Sequence, residues 1–245
     1  MVWGLTKRLD KCLAREDTKY TNMVFLVSIP KGHLPQRILE TSLQLFLERG
    51  FSKVTVDELA YSLGISKRTL YEHFRSKHQL IRQALLHKVE MISAALEEII
   101  ERDIPFPQKV SQVLTFMLHT LPRPSPVFLE DISRKAPEIW EEVSQARTRA
   151  LQRHFGQLFR EGRSEGFFRD GMSEQLVGLM FSTLVEHVIT PQSVADLSLS
   201  PGELLDRPLD LLMRGVLSEQ GKQRYEKELA MTSEAGEDDD EHRKN

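Results

Sequence analysis

The sequence contains a single cysteine, Cys12, among its 245 residues. One cysteine excludes an internal disulfide framework and a cysteine-rich zinc site. Long apolar runs are also lacking, since the run MVFLVSI at 23–29 is far shorter than the roughly 20 residues that cross a bilayer. Twenty-two mostly polar residues precede this run, which is unlike a signal peptide. We therefore expect a cytoplasmic protein.

Motifs for catalysis and for metal binding are equally scarce. The eight histidines are scattered, and no two have the four-residue spacing of a helical metal site. The sequence has no glycine-rich phosphate loop and no nucleophile elbow. We therefore expect neither enzyme activity nor a bound metal or cofactor.

Charge is distributed unevenly along the chain. Residues 1–80 hold 13 Lys and Arg against eight Asp and Glu, although the whole chain has a net charge of −3. A basic segment on a neutral body is typical of a protein that contacts a polyanion. Random variation across a surface gives the same balance, so charge alone leaves both readings open. Residues 226–245 are polar and acidic, a composition that predicts a disordered tail.

Apolar residues recur with a helical period throughout, so the sequence predicts an all-α fold. The stretch 173–189 is apolar nearly all round, which predicts a helix buried on more than one side. The predicted helices, in chain order, span 35–49, 56–62, 67–74, 76–101, 107–121, 127–135, 138–165, 173–189 and 201–217.

Two of these helices have the signals of a helix-turn-helix between residues 55 and 74. Thr55 and Glu58 have the spacing of a capping box at the start of the first short helix. Gly64 can adopt the positive φ of a tight turn, and Ser66 can cap the second helix. Two short helices around such a turn predict a helix-turn-helix.

The second of the two helices carries apolar and basic side chains at separate positions. Leu70 and Phe74 lie four residues apart and share a face, which predicts that they anchor the helix. Lys67 and Arg68 lie in its first turn, where a DNA-binding helix-turn-helix reaches base edges. Directly after it, Ser76-Lys-His-Gln79 predicts a second capping box.

Residues 35–81 resemble the N-terminal domain of the TetR family of transcriptional repressors. The matching stretches are ILETSLQLFLERGF, TVDELA, LGISKRTLYEHF and SKHQLI. The resemblance implies an all-α homodimer with an N-terminal three-helix DNA-binding domain and a C-terminal helical domain for ligand binding and dimerisation. It places these domains at 34–81 and 82–225. Residues 1–33 have no counterpart in the family core and are either an added arm or a translation start placed too early.

The resemblance also implies which side chains meet a double-stranded operator. Lys67 and Arg68 occupy positions that reach bases, and Lys77 occupies a position that meets the DNA backbone. Lysine and arginine suit phosphate or guanine, whereas hydroxyl groups donate to phosphate oxygens. The implied DNA-binding set is Thr55, Ser66, Lys67, Arg68, Thr69, Tyr71, His73 and Lys77.

We also expect an apolar sensor pocket in the C-terminal domain. Each of its aromatic residues is explained equally well as part of an ordinary core. Glu186 and His187 interrupt the apolar helix, and they either anchor a ligand or satisfy each other or a dimer partner. The candidate pocket residues are Phe116, Met117, Phe128, Trp140, Phe155, Phe159, Phe181, Glu186 and His187.

Together these patterns predict a dimeric DNA-binding regulator, a repressor released from a palindromic operator by a small molecule. Two alternatives stay open at this point. One is an architectural DNA-binding protein without a ligand, and the other is an interaction protein whose helix-turn-helix no longer reads DNA.

Overall fold

The computed structural model describes residues 33–120, 125–184 and 201–227, and within them the fold is all-α, as predicted. Among these residues, no helix combines the length and the apolar character needed to span a membrane. Residues 219–227 are also helical. The named helices are α1 (Leu34–Arg49), α2 (Val56–Leu63), α3 (Lys67–His73), α4 (Lys77–Ile100), α5 (Phe106–Thr120), α6 (Pro126–Lys135), α7 (Pro137–Ser164), α8 (Glu174–Thr183) and α9 (Pro201–Val216).

The described residues divide into two compact units, and the division falls within helices α4 and α7 and before Thr120, the last residue of α5. The helix-turn-helix unit contains residues 33–94, 120 and 125–150, and the cavity unit contains residues 95–119, 151–184 and 201–227. The predicted domain boundary after residue 81 stays a prediction. Residues 226 and 227, predicted as the start of the disordered tail 226–245, are helical, and the rest of that tail lies outside the described residues. Residues 1–32 of the predicted extension and the end of the helix predicted at 173–189 also lie outside them.

The boundaries of the first helices follow from local capping. Helix α1 ends at Gly50, whose φ of 91° is in the region that favours glycine and whose N–H donates to the Phe46 carbonyl at 2.9 Å. At the start of α2, the Glu58 N–H donates to Thr55 Oγ1 at 3.2 Å. The Thr55 N–H donates in return to Glu58 Oε2 at 2.8 Å, so the predicted capping box is confirmed.

The second predicted capping box is only half right. The Gln79 N–H donates to Ser76 Oγ at 3.1 Å, as the motif requires. The Gln79 side chain, however, accepts from the Arg75 N–H at 2.8 Å and not from Ser76. It therefore satisfies a donor one residue further out, which fixes the entry of the chain into α4.

The core of the helix-turn-helix unit joins residues that are far apart in the sequence. Phe46, Leu59, Leu70 and Ile81 are almost fully buried in it. Helices α6 and α7 contribute to the same core. The buried residues there are Phe128 and Ile132 of α6, Ala136 between the two helices, and Ile139 and Val143 of α7.

Aromatic packing dominates the cavity unit. Phe159 stacks on Phe168 with ring centroids 4.5 Å apart, and Phe106 lies 4.7 Å from Phe167. Gly162 permits this packing, because a Cβ at that position would lie 2.6 Å from the rings of Phe106 and Phe168. Close approach of these rings to the α7 backbone therefore requires glycine.

One face of helix α8 is exposed in the single chain, and the predicted burial of this helix on more than one side stays a prediction that involves a partner subunit. Val177 and Phe181 are buried, whereas Leu176, Leu179 and Met180 are each about half exposed. A periodicity that is apolar all round shows that a helix avoids water, but it does not show whether the second partner is the same chain.

Candidate nucleic-acid interface

Helices α2 and α3 are joined by a turn that depends on its glycine. Gly64 has a φ of 67°, in the left-handed region. The N–H of Gly64 donates to the Tyr61 carbonyl at 3.1 Å, and the N–H of Ile65 donates to the Ala60 carbonyl at 3.0 Å. These bonds satisfy the last carbonyls of α2 and redirect the chain within three residues.

Helix α3 is held in place by its cap and by two apolar side chains. Ser66 Oγ accepts from the Thr69 N–H at 3.0 Å and lies 2.9 Å from Thr69 Oγ1. Leu70 and Phe74 are buried at 1% and 3% exposure, as predicted. Because these residues fix α3 on one side only, the rest of its circumference is available to a partner.

The residues predicted to contact DNA differ in exposure. Thr69 and Lys77 are half-buried. The other predicted residues are all exposed, and Tyr71 keeps 47% of its surface. The exposed members are Thr55, Ser66, Lys67, Arg68, Tyr71 and His73.

Both basic residues in the first turn of α3 are already paired with carboxylates. Lys67 Nζ lies 2.6 Å from Asp57 Oδ1, and Arg68 Nε donates to Glu72 Oε1 at 3.1 Å. All four side chains keep more than half of their surface in water. The sequence reasoning missed Asp57, because it precedes Lys67 by ten residues and only the helix crossing brings the two together.

Lys77 has a different environment from the other cations. Its ammonium lies 4.6 Å from the centre of the Phe51 ring and donates to the Ser52 carbonyl at 3.4 Å. Burial lowers the pKa of Lys77, and the nearby carboxylate of Asp131 opposes that shift. The start of α4 is thereby attached to the turn that precedes α2.

The same turn is bonded to helix α6. Asp131 accepts two hydrogen bonds from Ser52, one from the backbone N–H and one from the hydroxyl, both at 2.9 Å. The Ser52 N–H and hydroxyl, with the nearby Lys135, lower the pKa of the Asp131 carboxyl. Lys135 also donates to the Ser52 hydroxyl. Helix α6 and the turn before α2 therefore share a polar contact beside the apolar core.

A narrow cavity of about 20 Å³ lies in the cavity unit, with room for little more than one water molecule. Phe155, Phe159 and Phe181, three of the residues predicted for the sensor pocket, line it, and their role in a sensor stays a prediction. Helices α5, α7, α8 and α9 and the segment at Phe168 supply the walls. The remaining lining residues are Phe106, Val110, Val113, Leu114, Leu158, Phe168, Leu209 and Met213.

The other expected pocket residues do not line this cavity. Phe116 and Met117 are buried elsewhere in the cavity unit, whereas Phe128 and Trp140 pack in the core of the helix-turn-helix unit. Glu186 and His187 lie outside the described residues. No group of three metal-ligating side chains occurs in the described part of the chain.

Comparison with known proteins assigns the helix-turn-helix. Residues 38–84 match the family model described as bacterial regulatory proteins, tetR family. The uncharacterized HTH-type transcriptional regulator YerO of Bacillus subtilis is 38% identical over 66 residues, which cover 27% of this chain and only 23% of YerO. This match is therefore local.

Longer matches have lower identity. The uncharacterized HTH-type transcriptional regulator YvaF of Bacillus subtilis is 26% identical over 193 residues, which cover 76% of this chain and 97% of YvaF. The HTH-type transcriptional repressor KstR2 of Mycolicibacterium smegmatis is 21% identical over 143 residues, which cover 57% of this chain and 70% of KstR2. None of these three relatives is named as an enzyme.

A solved structure shares the fold over most of the chain. The transcriptional regulator FadR from Bacillus subtilis, in complex with stearoyl-CoA, superimposes with a TM-score of 0.58. The match covers 73% of this chain and 97% of FadR at 18% identity.

Proposed function

Because the chain belongs to the TetR family of bacterial transcriptional regulators, we propose that it is a dimeric cytoplasmic repressor that binds a palindromic operator through helix α3. The observation that carries this proposal is the orientation of α3. Its apolar residues Leu70 and Phe74 are buried, and its first turn presents Lys67 and Arg68 to solvent. In a DNA-binding helix-turn-helix, the first turn of the second helix contacts base edges in the major groove.

Selection from a random DNA pool tests the proposal directly. Immobilised protein is incubated with random duplexes at moderate salt, and the bound fraction is amplified and sequenced. A dimer with two α3 helices should enrich an inverted repeat whose half-sites lie about one helical turn apart. If the pool stays random after several rounds, the chain does not read DNA sequence and the proposal fails.

Variants then separate base contacts from backbone contacts on the selected duplex. Replacing Lys67 or Arg68 with alanine should reduce the binding free energy by about 1–3 kcal/mol on the selected duplex and by much less on random DNA. Lys77→Ala should weaken binding to both duplexes about equally. It should also lower the slope of log K against log salt by about 1 per subunit, because one phosphate contact is lost. If Lys77→Ala alone abolishes sequence preference, these roles are wrong.

The dimer is proposed from the exposed apolar residues of the cavity unit. Leu176, Leu179 and Met180 on α8 are half exposed, and Leu211 on α9 keeps 72% of its surface. Apolar surface of this kind is costly in water and suits a homodimer interface. Leu179→Glu should shift the mass measured by light scattering toward the monomer, whereas Gln175→Glu, at an exposed polar position of the same helix, should not. A stable wild-type monomer at micromolar concentration would exclude the dimer.

The effector is proposed to be a small molecule with a large apolar part, because every residue that lines the cavity is apolar. The complex of FadR with stearoyl-CoA supports a long acyl chain as the first compound to test. A site for such a ligand needs several hundred Å³, so its binding must displace side chains around the present cavity. Stearoyl-CoA should raise the melting temperature, and coenzyme A, which lacks the acyl chain, should not.

An architectural DNA-binding protein without an effector is the second candidate, and the small volume of the cavity favours it. The two candidates differ in one observable. A regulator releases the selected duplex when a compound that raises its melting temperature is added, whereas an architectural protein keeps the duplex bound.

A further inference from the structure

The exposed first turn of α3 is close to electrically neutral, although it carries two adjacent cations. Lys67 pairs with Asp57 across the two helices, and Arg68 pairs with Glu72 along α3. Each ion pair brings together one positive and one negative group, so the four charges cancel. A surface built only to attract phosphate would not place two carboxylates among its cations.

Other cations of the same unit have no carboxylate partner within the described residues. Lys53 lies in the turn before α2, and Arg75 lies between α3 and α4. Both are exposed, and neither forms an ion pair within the described residues. Lys53 and Arg75 are thus unpaired, whereas both cations in the first turn of α3 are paired.

We propose that Asp57 and Glu72 are specificity-determining residues, which hold Lys67 and Arg68 in ion pairs that only the correct base edges replace. This inference rests on the proposed DNA-binding function. Exposed ion pairs are weak, so guanine O6 and N7 can displace a carboxylate at little cost when they are correctly placed. On other sequences the pairs stay closed, and the two carboxylates lie close to phosphates that they repel.

The consequence is a penalty on non-specific binding. Affinity for random DNA comes almost entirely from phosphate contacts, so a carboxylate near the backbone weakens it. Releasing Lys67 from its partner also provides one more cation for phosphate. Removing a carboxylate should therefore raise affinity for random DNA by about two- to fivefold per protomer at moderate salt.

A structural role for Asp57 leads to a different expectation. Asp57 lies in the first turn of α2, where a carboxylate also favours the helix through its dipole. If it served only that purpose, its loss would lower stability and leave the preference between duplexes unchanged. Glu72 provides an independent test of the same inference, because it lies in the last turn of the short helix α3 and does not cap a helix.

The test compares Asp57→Asn and Glu72→Gln with wild-type protein on two labelled duplexes, the duplex selected from the random pool and a random-sequence duplex of equal length. Glu90→Gln is the matched control, because it removes the same charge from an exposed site about 20 Å along α4 from its start. Titrations are repeated at several salt concentrations, and urea unfolding checks each variant.

Asp57→Asn and Glu72→Gln should each bind the random duplex about two- to fivefold more tightly and with a steeper salt slope, while their affinity for the selected duplex changes less. The specificity ratio should fall for Asp57→Asn and Glu72→Gln and should remain near the wild-type value for Glu90→Gln. Equal effects on both duplexes, or effects no larger than those of Glu90→Gln, would overturn the inference. A loss of more than tenfold confined to the selected duplex would also overturn it, because the carboxylate would then be reading a base itself. If wild-type protein selects no duplex, the proposed function has failed, which is a separate result.

Discussion

The contact between Asp131 and Ser52 should contribute measurably to folding of the helix-turn-helix unit. The carboxylate accepts two hydrogen bonds of 2.9 Å, and its side chain keeps only 18% of its surface exposed. Hydrogen bonds to charged groups are each worth about 1.5–3 kcal/mol, and partial access of water to Ser52 reduces that value. We expect Asp131→Ala to lower the free energy of unfolding by about 2 kcal/mol at pH 7, measured by urea denaturation at fixed protein concentration.

The pH dependence of this effect has a defined sign. The pKa of Asp131 is lower in the folded protein than its ordinary value of 3.8, so the folded state favours the ionised carboxylate. The stabilisation is therefore complete above about pH 5 and is lost as the pH falls through the folded pKa. The difference in unfolding free energy between wild type and Asp131→Asn should stay constant from pH 7 to 5 and shrink below pH 4.

The adjacent residue provides the matched control for this experiment. Glu130 lies on the same helix and is exposed, and within the described residues its carboxylate bonds only to the exposed side chain of Arg134 at 3.2 Å. Glu130→Ala should therefore change the unfolding free energy by less than about 0.5 kcal/mol. The reasoning is refuted if Asp131→Ala and Glu130→Ala have equal effects, or if the Asp131 difference does not depend on pH.

Three further substitutions test packing and backbone conformation by thermal unfolding. Ser42→Ala should stabilise the fold by up to about 1 kcal/mol and so raise the melting temperature slightly, because the Ser42 hydroxyl is fully buried and has no hydrogen-bond partner among the described residues. A clear loss of stability would show that the hydroxyl is bonded. Gly50→Ala should lower the free energy of unfolding by about 2 kcal/mol or more, since φ is 91° and the new Cβ would lie 2.8 Å from Val127 Cγ1. An unchanged melting temperature would contradict this geometry. Gly221→Ala should lower the melting temperature further, because its Cβ would lie 2.1 Å from the Phe167 carbonyl oxygen. An unchanged melting temperature there would mean that the two backbones do not approach each other as described.

Local signals predicted the helix-turn-helix well, because its boundaries depend on contacts within a few residues. Thr55, Gly64 and Ser66 perform the capping and turning roles that their sequence positions indicate. At the start of α4 the same rule named the wrong partner, because the Gln79 side chain accepts from the Arg75 N–H and not from the N–H of the next residue. Short-range chemistry thus determines where helices begin and end, but small differences in geometry choose among neighbouring donors.

Long-range packing was beyond the reach of periodicity. An apolar stripe predicts that Phe128 and Trp140 are buried, but it does not predict which of the two cores they join. The pairing of Asp57 with Lys67 and that of Ser52 with Asp131 likewise need the crossing of helices that are separate in sequence. These contacts depend on tertiary structure, which one sequence does not encode in any local pattern.

The discontinuity of the helix-turn-helix core has a consequence for how the protein is made and for how it can be cut. A fragment that ends soon after α4 begins would lack Phe128, Ile132, Ile139 and Val143, and it would expose the apolar surface that they cover. Grafting residues 34–81 onto an unrelated domain would produce the same defect. During synthesis, helices α2 and α3 leave the ribosome some 70 residues before the last part of their own core. We therefore expect the nascent chain to bind DNA poorly, and to attract chaperones, until the segment through residue 150 has emerged.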